Sequence, residues 1–462
     1  MAALALPLLA RRLLAEGAFN AALIPALNRA GDPGREAEPG PRQVAGGTLL
    51  LLCAVLLALA GLGAAFMPAL ITALAPGFEA GGARADLAIQ CGRIAVLYLP
   101  LAGAAAVYGG IANANHRVAL PALAPILANL VVLAAIILLV CEGWIGTAQA
   151  ARAMAIATVL AGVAQLALMM LAARGSATWP RVTAPDWAAA RAVLRASAPA
   201  LVFAGLSQLR LLIVAAVVSA DPGSVSALNY AQRLVDLPLG LVGASAGAVL
   251  VPLLAAGGRG AGREAAGALL AALALALPAA AGLALLAEPI VSVLYQRGGF
   301  TAADTQATAW LLTALAFALP AQGAERVLAA TALSHGLTRP VEKIALMSLA
   351  NCAALALGFG IGLGPVAAAC AIAVSATVSA ATMTMQLAGH RLLTFDAATG
   401  HQLRSLLGGS TLMALAVGGL AWFWPGPDAP TLLAAARLGA LVAVGLVVYG
   451  GFMLGQRRLR RV

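Results

Sequence analysis

The chain reads as an all-α polytopic membrane protein, and three observations predict that class. Hydrophobic residues fill 62% of its 462 positions, charged residues only 10%, and the mean hydropathy is +0.96. A soluble domain carries roughly 25% charged residues, so this chain lacks the polar surface to cover itself in water. The apolar runs extend for about 20 residues or more, the length of a helical span and about twice that of a barrel strand. Fifty glycines and abundant alanine suit helix packing in lipid, where small side chains let backbones approach.

Loop signals divide the chain into about thirteen transmembrane helices. Their expected limits are 1–28, 45–74, 87–112, 119–141, 148–173, 188–219, 223–255, 265–296, 304–333, 341–362, 364–389, 403–424 and 430–455. The separators carry Gly, Pro, Asn and Asp in turn-forming combinations. "NRAGDPGREAEPGPRQ" closes the first span, and "APGFEAGG" and "NANHRVALP" flank the third. "ARGSATWPRVTAPD" and "SADPGS" bracket the sixth, "GGRGAGRE" and "GLTRPVEK" close the seventh and ninth, and "WPGPDAP" divides the last pair.

Charge sets the orientation. Eighteen basic residues fall in one set of alternate loops, from Arg29 to Arg461, against Arg84, Arg152 and Arg297 in the other. Cytoplasmic loops carry the Lys and Arg excess, which predicts a cytoplasmic C-terminus in a multi-pass bacterial inner-membrane protein. With thirteen spans the first residue then falls on the far side, as if a helix were missing upstream. The net charge of +11 does not point to nucleic acid, because the basic residues sit in short loops with no aromatic interleaving. The five cysteines lie in or beside apolar segments with no CxxC pair, and the four histidines form no metal spacing, so no metal or cofactor is expected. Two segments, "HRVALPALAPILANLVVLAA" (116–135) and "HGLTRPVEKIALMSLANCAALA" (335–356), share a His, a basic residue, a Pro and "LAN", which suggests an internal repeat of parallel six-helix lobes.

Charges within the spans are the candidate functional residues, since a mid-bilayer arginine costs about 2.5–3.5 kcal/mol even on the lenient insertion scale. Arg93 and Arg437 lie near span ends and can snorkel. Arg12 and Glu16 are spaced i,i+4 and can pair, whereas Arg11 is turned about 100° away. Arg233 and Asp236 are spaced i,i+3, with Gln232 beside them as a neutral donor. Glu325 and Arg326 are adjacent and cannot pair directly, and Arg210 has no acid at helical spacing. Cations gathered at a cavity suit a multivalent anion, for which the guanidinium fork matches phosphate oxygens.

The chain resembles the MurJ/MviN lipid II flippases of the multidrug/oligosaccharidyl-lipid/polysaccharide exporter superfamily. The resemblance rests on "LPLLARRLLAEGAFNAALIPAL" (6–27), "APGF" (75–78), "NHRVALPALAPILAN" (115–129), "SQL" (207–209), "YAQRLVDLPLGLVGA" (230–244), "LYQRGGFTAADT" (294–305) and "RVLAATALSHGLTRPV" (326–341). It implies two six-helix lobes around a cationic central cavity, followed by a helix pair bordering a groove for a lipid tail. The expected divisions are an N-lobe at 1–185, a C-lobe at 186–395 and the helix pair at 396–462. Carried over residue by residue, Arg11, Arg12, Glu16, Arg233, Asp236 and Arg326 become the substrate-binding set. Arg210 stands where the family usually has an apolar residue. The family has fourteen helices, and its first, with an "RxxGxxRD"-like motif, has no counterpart here, as a late-called start or a degenerate paralogue would produce.

The function so implied is translocation of lipid II, an undecaprenyl-diphosphate-linked disaccharide-peptide, by alternating access during peptidoglycan synthesis. The expected partners are lipid II, membrane lipids and other cell-wall synthesis proteins. A multidrug exporter would want acidic or neutral cavity residues for cationic drugs. A membrane enzyme acting on polyprenyl phosphates would want clustered acids at the membrane face, and no DxD occurs. The alternatives are a non-transporting or degenerate paralogue acting as a cell-wall scaffold, and another polyprenyl-diphosphate-sugar or multidrug exporter of the same superfamily.

Overall fold

The computed structural model describes residues 19–31, 40–79, 81–221, 223–255, 261–424 and 432–459. The described residues are helical and divide into two compact units, 1–208 and 209–462. The first contains α1 (Asn20–Ala30), α2 (Pro41–Ala65), α3 (Met67–Leu74), α4 (Ala83–Ala95), α5 (Tyr98–Ala114), α6 (Ala119–Cys141), α7 (Ala148–Ala173) and most of α8 (Trp187–Val217). The second continues with α9 (Ser224–Ala255), α10 (Ala261–Leu285), α11 (Ala287–Tyr295), α12 (Ala302–Ala316), α13 (Leu319–Ser334), α14 (Thr338–Leu363), α15 (Pro365–Gly389), α16 (Ala397–Phe423) and α17 (Leu432–Leu459).

Ten helical segments are long and apolar enough to cross a membrane, or eleven if α12 and α13, bent by 41°, form one span. The thirteen spans expected from sequence are therefore not all recovered among the described residues. The span at 1–28 lies mostly outside them, and α9 is a single 32-residue helix that is not among the ten. Four other expected spans are broken, and proline explains each break. Pro68, Pro100, Pro289 and Pro320 lie in the first turns of α3, α5, α11 and α13. A proline lacks the N–H needed to continue a preceding helix, but its fixed φ suits a new first turn.

These breaks reveal the repeat more clearly than the sequence does. The order long, very short, short, short, long, long occurs twice, as α2–α7 and as α10–α15. The packing repeats with it: α2 meets α5, α5 meets α7 and α4 meets α7, just as α10 meets α13, α13 meets α15 and α12 meets α15. Helix α1 packs on α2 and α5 as α9 packs on α10 and α13. The two His-containing segments occupy the equivalent turns, but in a register shifted by one. His116 (φ 59°) matches Gly336 (φ 77°), because each is the left-handed residue that ends its helix. The next N–H closes the turn in both, from Arg117 to the Ala112 carbonyl and from Leu337 to the Ala332 carbonyl, each at 2.9 Å.

In the second unit, α16 and α17 pack together and against α10 and α11. Leu286, Met413, Val417 and Leu441 form their shared core, and the Tyr449 hydroxyl donates to the Ala274 carbonyl at 2.8 Å. Asp396 caps α16 by accepting from the Thr399 N–H (2.8 Å) and Oγ1 (2.7 Å). These two bonds, with a smaller contribution from Arg263, hold its carboxyl below the usual carboxylate range. The cap is thus formed at neutral pH and is lost as pH falls through that lowered value.

In the first unit, the chain after α7 clasps the start of α2. The N–H groups of Arg181 and Asp186 donate to the Arg42 and Gln43 carbonyls at 2.8 and 3.1 Å. Gly46 and Gly47 permit this approach, since a Cβ on either would run into the backbone carbonyl of Arg181 or Asp186. Gly46→Ala and Gly47→Ala should each destabilise the protein by about 1–3 kcal/mol through overpacking. Gly61→Ala, on the same helix with open space around it, should not. Thermal melts of the three purified variants in detergent check the contrast.

Candidate functional site

The charged residues of the second unit fall into two groups, and burial separates them. Arg210 on α8 is 3% exposed and is paired through both terminal nitrogens. Its Nη1 and Nη2 donate to Oε1 and Oε2 of Glu325 on α13 at 3.2 and 2.7 Å, and Nη1 also reaches Ser348 Oγ on α14 at 3.1 Å. Ser348 in turn donates to the Ser375 carbonyl on α15 at 3.1 Å. One guanidinium thus ties four helices together. The fork-to-fork geometry satisfies both carboxylate oxygens, the arrangement a buried pair needs to offset desolvation. Sequence spacing could not find this pair, because its partners lie 115 residues apart.

Arg233 and Arg326 form the other group. Arg233 on α9 is exposed, Arg326 on α13 is half-buried, and neither makes a hydrogen bond or ion pair with another described residue. Helices α9 and α13 pack against each other. Glu325 is next in sequence to Arg326, but Arg210 already engages its carboxylate. Asp236 accepts from Gln232 Nε2 at 2.7 Å, so the partial pairing of Arg233 with Asp236 expected from sequence gives way to a neutral donor. The two arginines expected to snorkel also cap helix ends. Arg93 donates to the Ala64 carbonyl at 3.2 Å, and Arg437 donates to those of Trp424 (2.7 Å) and Ala421 (3.1 Å). Arg11, Arg12 and Glu16 lie outside the described residues.

Sequence reasoning overlooked an aromatic cluster beside Arg233. Tyr230 lies one turn before it on α9, and the Tyr230 ring is 4.8 Å from that of Tyr295 and 5.4 Å from that of Phe300. Tyr295 and Phe300 are 6.0 Å apart, which closes the triangle. With aromatic residues only 5% of the chain, three converging within the motifs "YAQR" and "LYQRGGF" was the available signal. These rings line a cavity of about 410 Å³ that also includes Arg297, Asp304 and Thr308. The first unit holds a neutral polar cavity of about 320 Å³, where the Tyr98 hydroxyl donates to Gln165 Oε1 at 3.0 Å. Among the described residues, no group of His, Cys, Asp or Glu is placed to hold a metal.

The repeated helix pattern is a fold also found in solved membrane transport proteins. An inward-facing MATE family transporter of the MOP superfamily superposes with a TM-score of 0.66 at 17% identity, covering 84% of this chain and 90% of its own. A lipid II flippase MurJ in an inward closed conformation superposes with a TM-score of 0.76 at 20% identity, covering 99% and 92%. The family described as Lipid II flippase MurJ matches residues 1–434, and the chain belongs to that family. Among curated relatives described as "Probable lipid II flippase MurJ", that of Rhizobium tropici is 30% identical over 318 residues, 66% of this chain and 58% of its own length. That of Bdellovibrio bacteriovorus is 31% identical over 281 residues, 59% of this chain and 53% of its own. The matched stretch therefore spans little more than half the length of these relatives.

The buried pair gives a direct test of its own. Arg210→Ala or Glu325→Ala should cost about 3–5 kcal/mol, because each leaves one charge buried without its partner. The double variant Arg210→Met/Glu325→Leu should recover most of the wild-type melting temperature, read by thermal unfolding in detergent.

Proposed function

We propose that this protein carries lipid II across the bacterial inner membrane by alternating access, with its C-terminus in the cytoplasm. The observation that carries the proposal is Arg233, an exposed arginine in a membrane protein with no ion pair among the described residues. A diphosphate from outside the chain would supply the anion such a cation calls for, fitting the planar guanidinium fork in a bidentate manner. In this reading Arg11, Arg12 and Glu16 from the N-lobe (1–185), with Arg233, Asp236 and Arg326 from the C-lobe (186–395), hold the headgroup. The helix pair at 396–462 borders the groove for the prenyl tail.

Release requires part of that positive charge to be neutralised once the lobes have rocked outward. Glu325 is unavailable for this while Arg210 holds it, which leaves Asp236 and Glu16 as the neutralising acids. The role is transport, with no covalent step and no cofactor. Other cell-wall synthesis proteins are the expected physical partners.

Arg233→Ala should abolish growth of a flippase-depleted strain while the protein still reaches the membrane at wild-type level. Arg233→Lys should rescue only in part, since a point charge loses the bidentate fit. Normal complementation by Arg233→Ala would overturn the reading, with membrane content checked by immunoblot.

A further inference from the structure

Helix α9 displays an ordered series of chemistries along one side. Tyr230, Arg233, Leu237 and Leu241 are spaced i, i+3, i+7 and i+11, which places them on a single stripe. Leu237 and Leu241 are 69% and 65% exposed, so beyond Arg233 the stripe continues as an aliphatic surface on a helix packed against α10, α12 and α13. From one end the stripe runs aromatic cavity, guanidinium, aliphatic surface. A prenyl-diphosphate glycan has the same order: sugar, diphosphate, hydrocarbon. Tyr230 and Arg233 are about 4.5 Å apart along the helix axis and Arg233 and Leu237 about 6 Å, so the three chemistries follow one another within three turns.

We propose that the cavity bounded by Tyr230, Tyr295 and Phe300 is a sugar subsite, taking the first glycan ring of a prenyl diphosphate whose phosphates rest on Arg233. The proposal rests on the transport reading above and deepens it. Sugar rings present axial C–H groups that pack on aromatic faces, and their hydroxyls need donors and acceptors at the rim. Arg297 and Asp304 supply such groups at the cavity wall. Thr308, also in that wall, is wholly buried, and its hydroxyl has no partner among the described residues. Arg297 and Asp304 line the cavity with opposite charges, which suits a neutral hydroxylated ring.

The order along the stripe also defines a pose. Arg297 belongs to the sparsely basic loops, which the charge distribution assigns to the non-cytoplasmic side. A substrate lying along α9 with its sugar in this cavity therefore points its glycan outward. That is the orientation after translocation, and the cavity belongs to the release side of the cycle.

The test uses the full chain in lipid nanodiscs and two probes, lipid II and undecaprenyl diphosphate, which share the diphosphate and prenyl chain and differ in the glycan. Wild-type protein should bind lipid II more tightly. Tyr295→Leu and Phe300→Leu, which keep apolar bulk but remove the ring face, should weaken lipid II about ten-fold and leave undecaprenyl diphosphate unchanged. That factor corresponds to about 1.4 kcal/mol of lost stacking. Tyr295→Phe, which restores the face without the hydroxyl, should bind lipid II to within a few-fold of wild type. Arg233→Ala should weaken both probes. Equal weakening of both probes by the leucine variants, or no weakening of either, overturns the sugar subsite while the Arg233 dependence leaves the transport reading standing. Failure of wild-type protein to bind either probe overturns both.

Discussion

A guanidinium held away from water must find an anion or a set of carbonyls, and most of the structure's polar architecture follows from how each arginine meets that demand. Arg210 meets it with Glu325, whose two carboxylate oxygens it engages inside the second unit. Arg93 and Arg437 meet it with the orphan carbonyls at the ends of neighbouring helices, where the helix dipole already favours positive charge. Once these are accounted for, Arg233 and Arg326 stand apart without an ion pair among the described residues. Among the described residues nothing neutralises them.

The Arg210–Glu325 pair influences the site without belonging to it. An unengaged Glu325 would be a carboxylate one residue from Arg326, able to lower the positive potential around it. With Glu325 held in a bidentate grip, its charge is balanced by Arg210 and not by Arg326. The same guanidinium links α8 to α13 and, through Ser348, to α14 and α15, so one interaction serves both packing and electrostatics. Such a pair is a poor source of net stability, because desolvation offsets its attraction. Its value lies in specifying which helices meet and in keeping an acid away from a cation.

The repeated helix pattern imposes a second constraint. Two six-helix series break at prolines in equivalent places, and at the break between α12 and α13 the two rods meet at 41°. Straight spans would keep a charged residue at one depth and facing one way. Broken ones reorient the chain between packed neighbours, so that α11 ends beside α9 and the loop after it brings Tyr295 and Phe300 against Tyr230. The aromatic cavity is a consequence of that geometry.

The sequence by itself determined what depends on composition and on local chemistry. The membrane class follows from too few charges to solvate a surface and the loops from turn residues, whereas the spans read as continuous through the breaks at Pro68, Pro100, Pro289 and Pro320. Arg233 and Arg326 could be singled out because a cation in an apolar run is conspicuous wherever the helix ends up. Only the tertiary structure could decide what depends on residues far apart in the chain. Arg210 looked unpaired because helical spacing reaches four residues and its acid lies 115 away. Asp236 looked like a partner for Arg233, until side-chain direction gave it to Gln232. The repeat register slipped by one because sequence matched histidine to histidine, whereas the backbone matches His116 to Gly336, the residues that share a left-handed turn. Periodicity records which face of a helix a residue occupies. It carries no information about what another helix brings to that face.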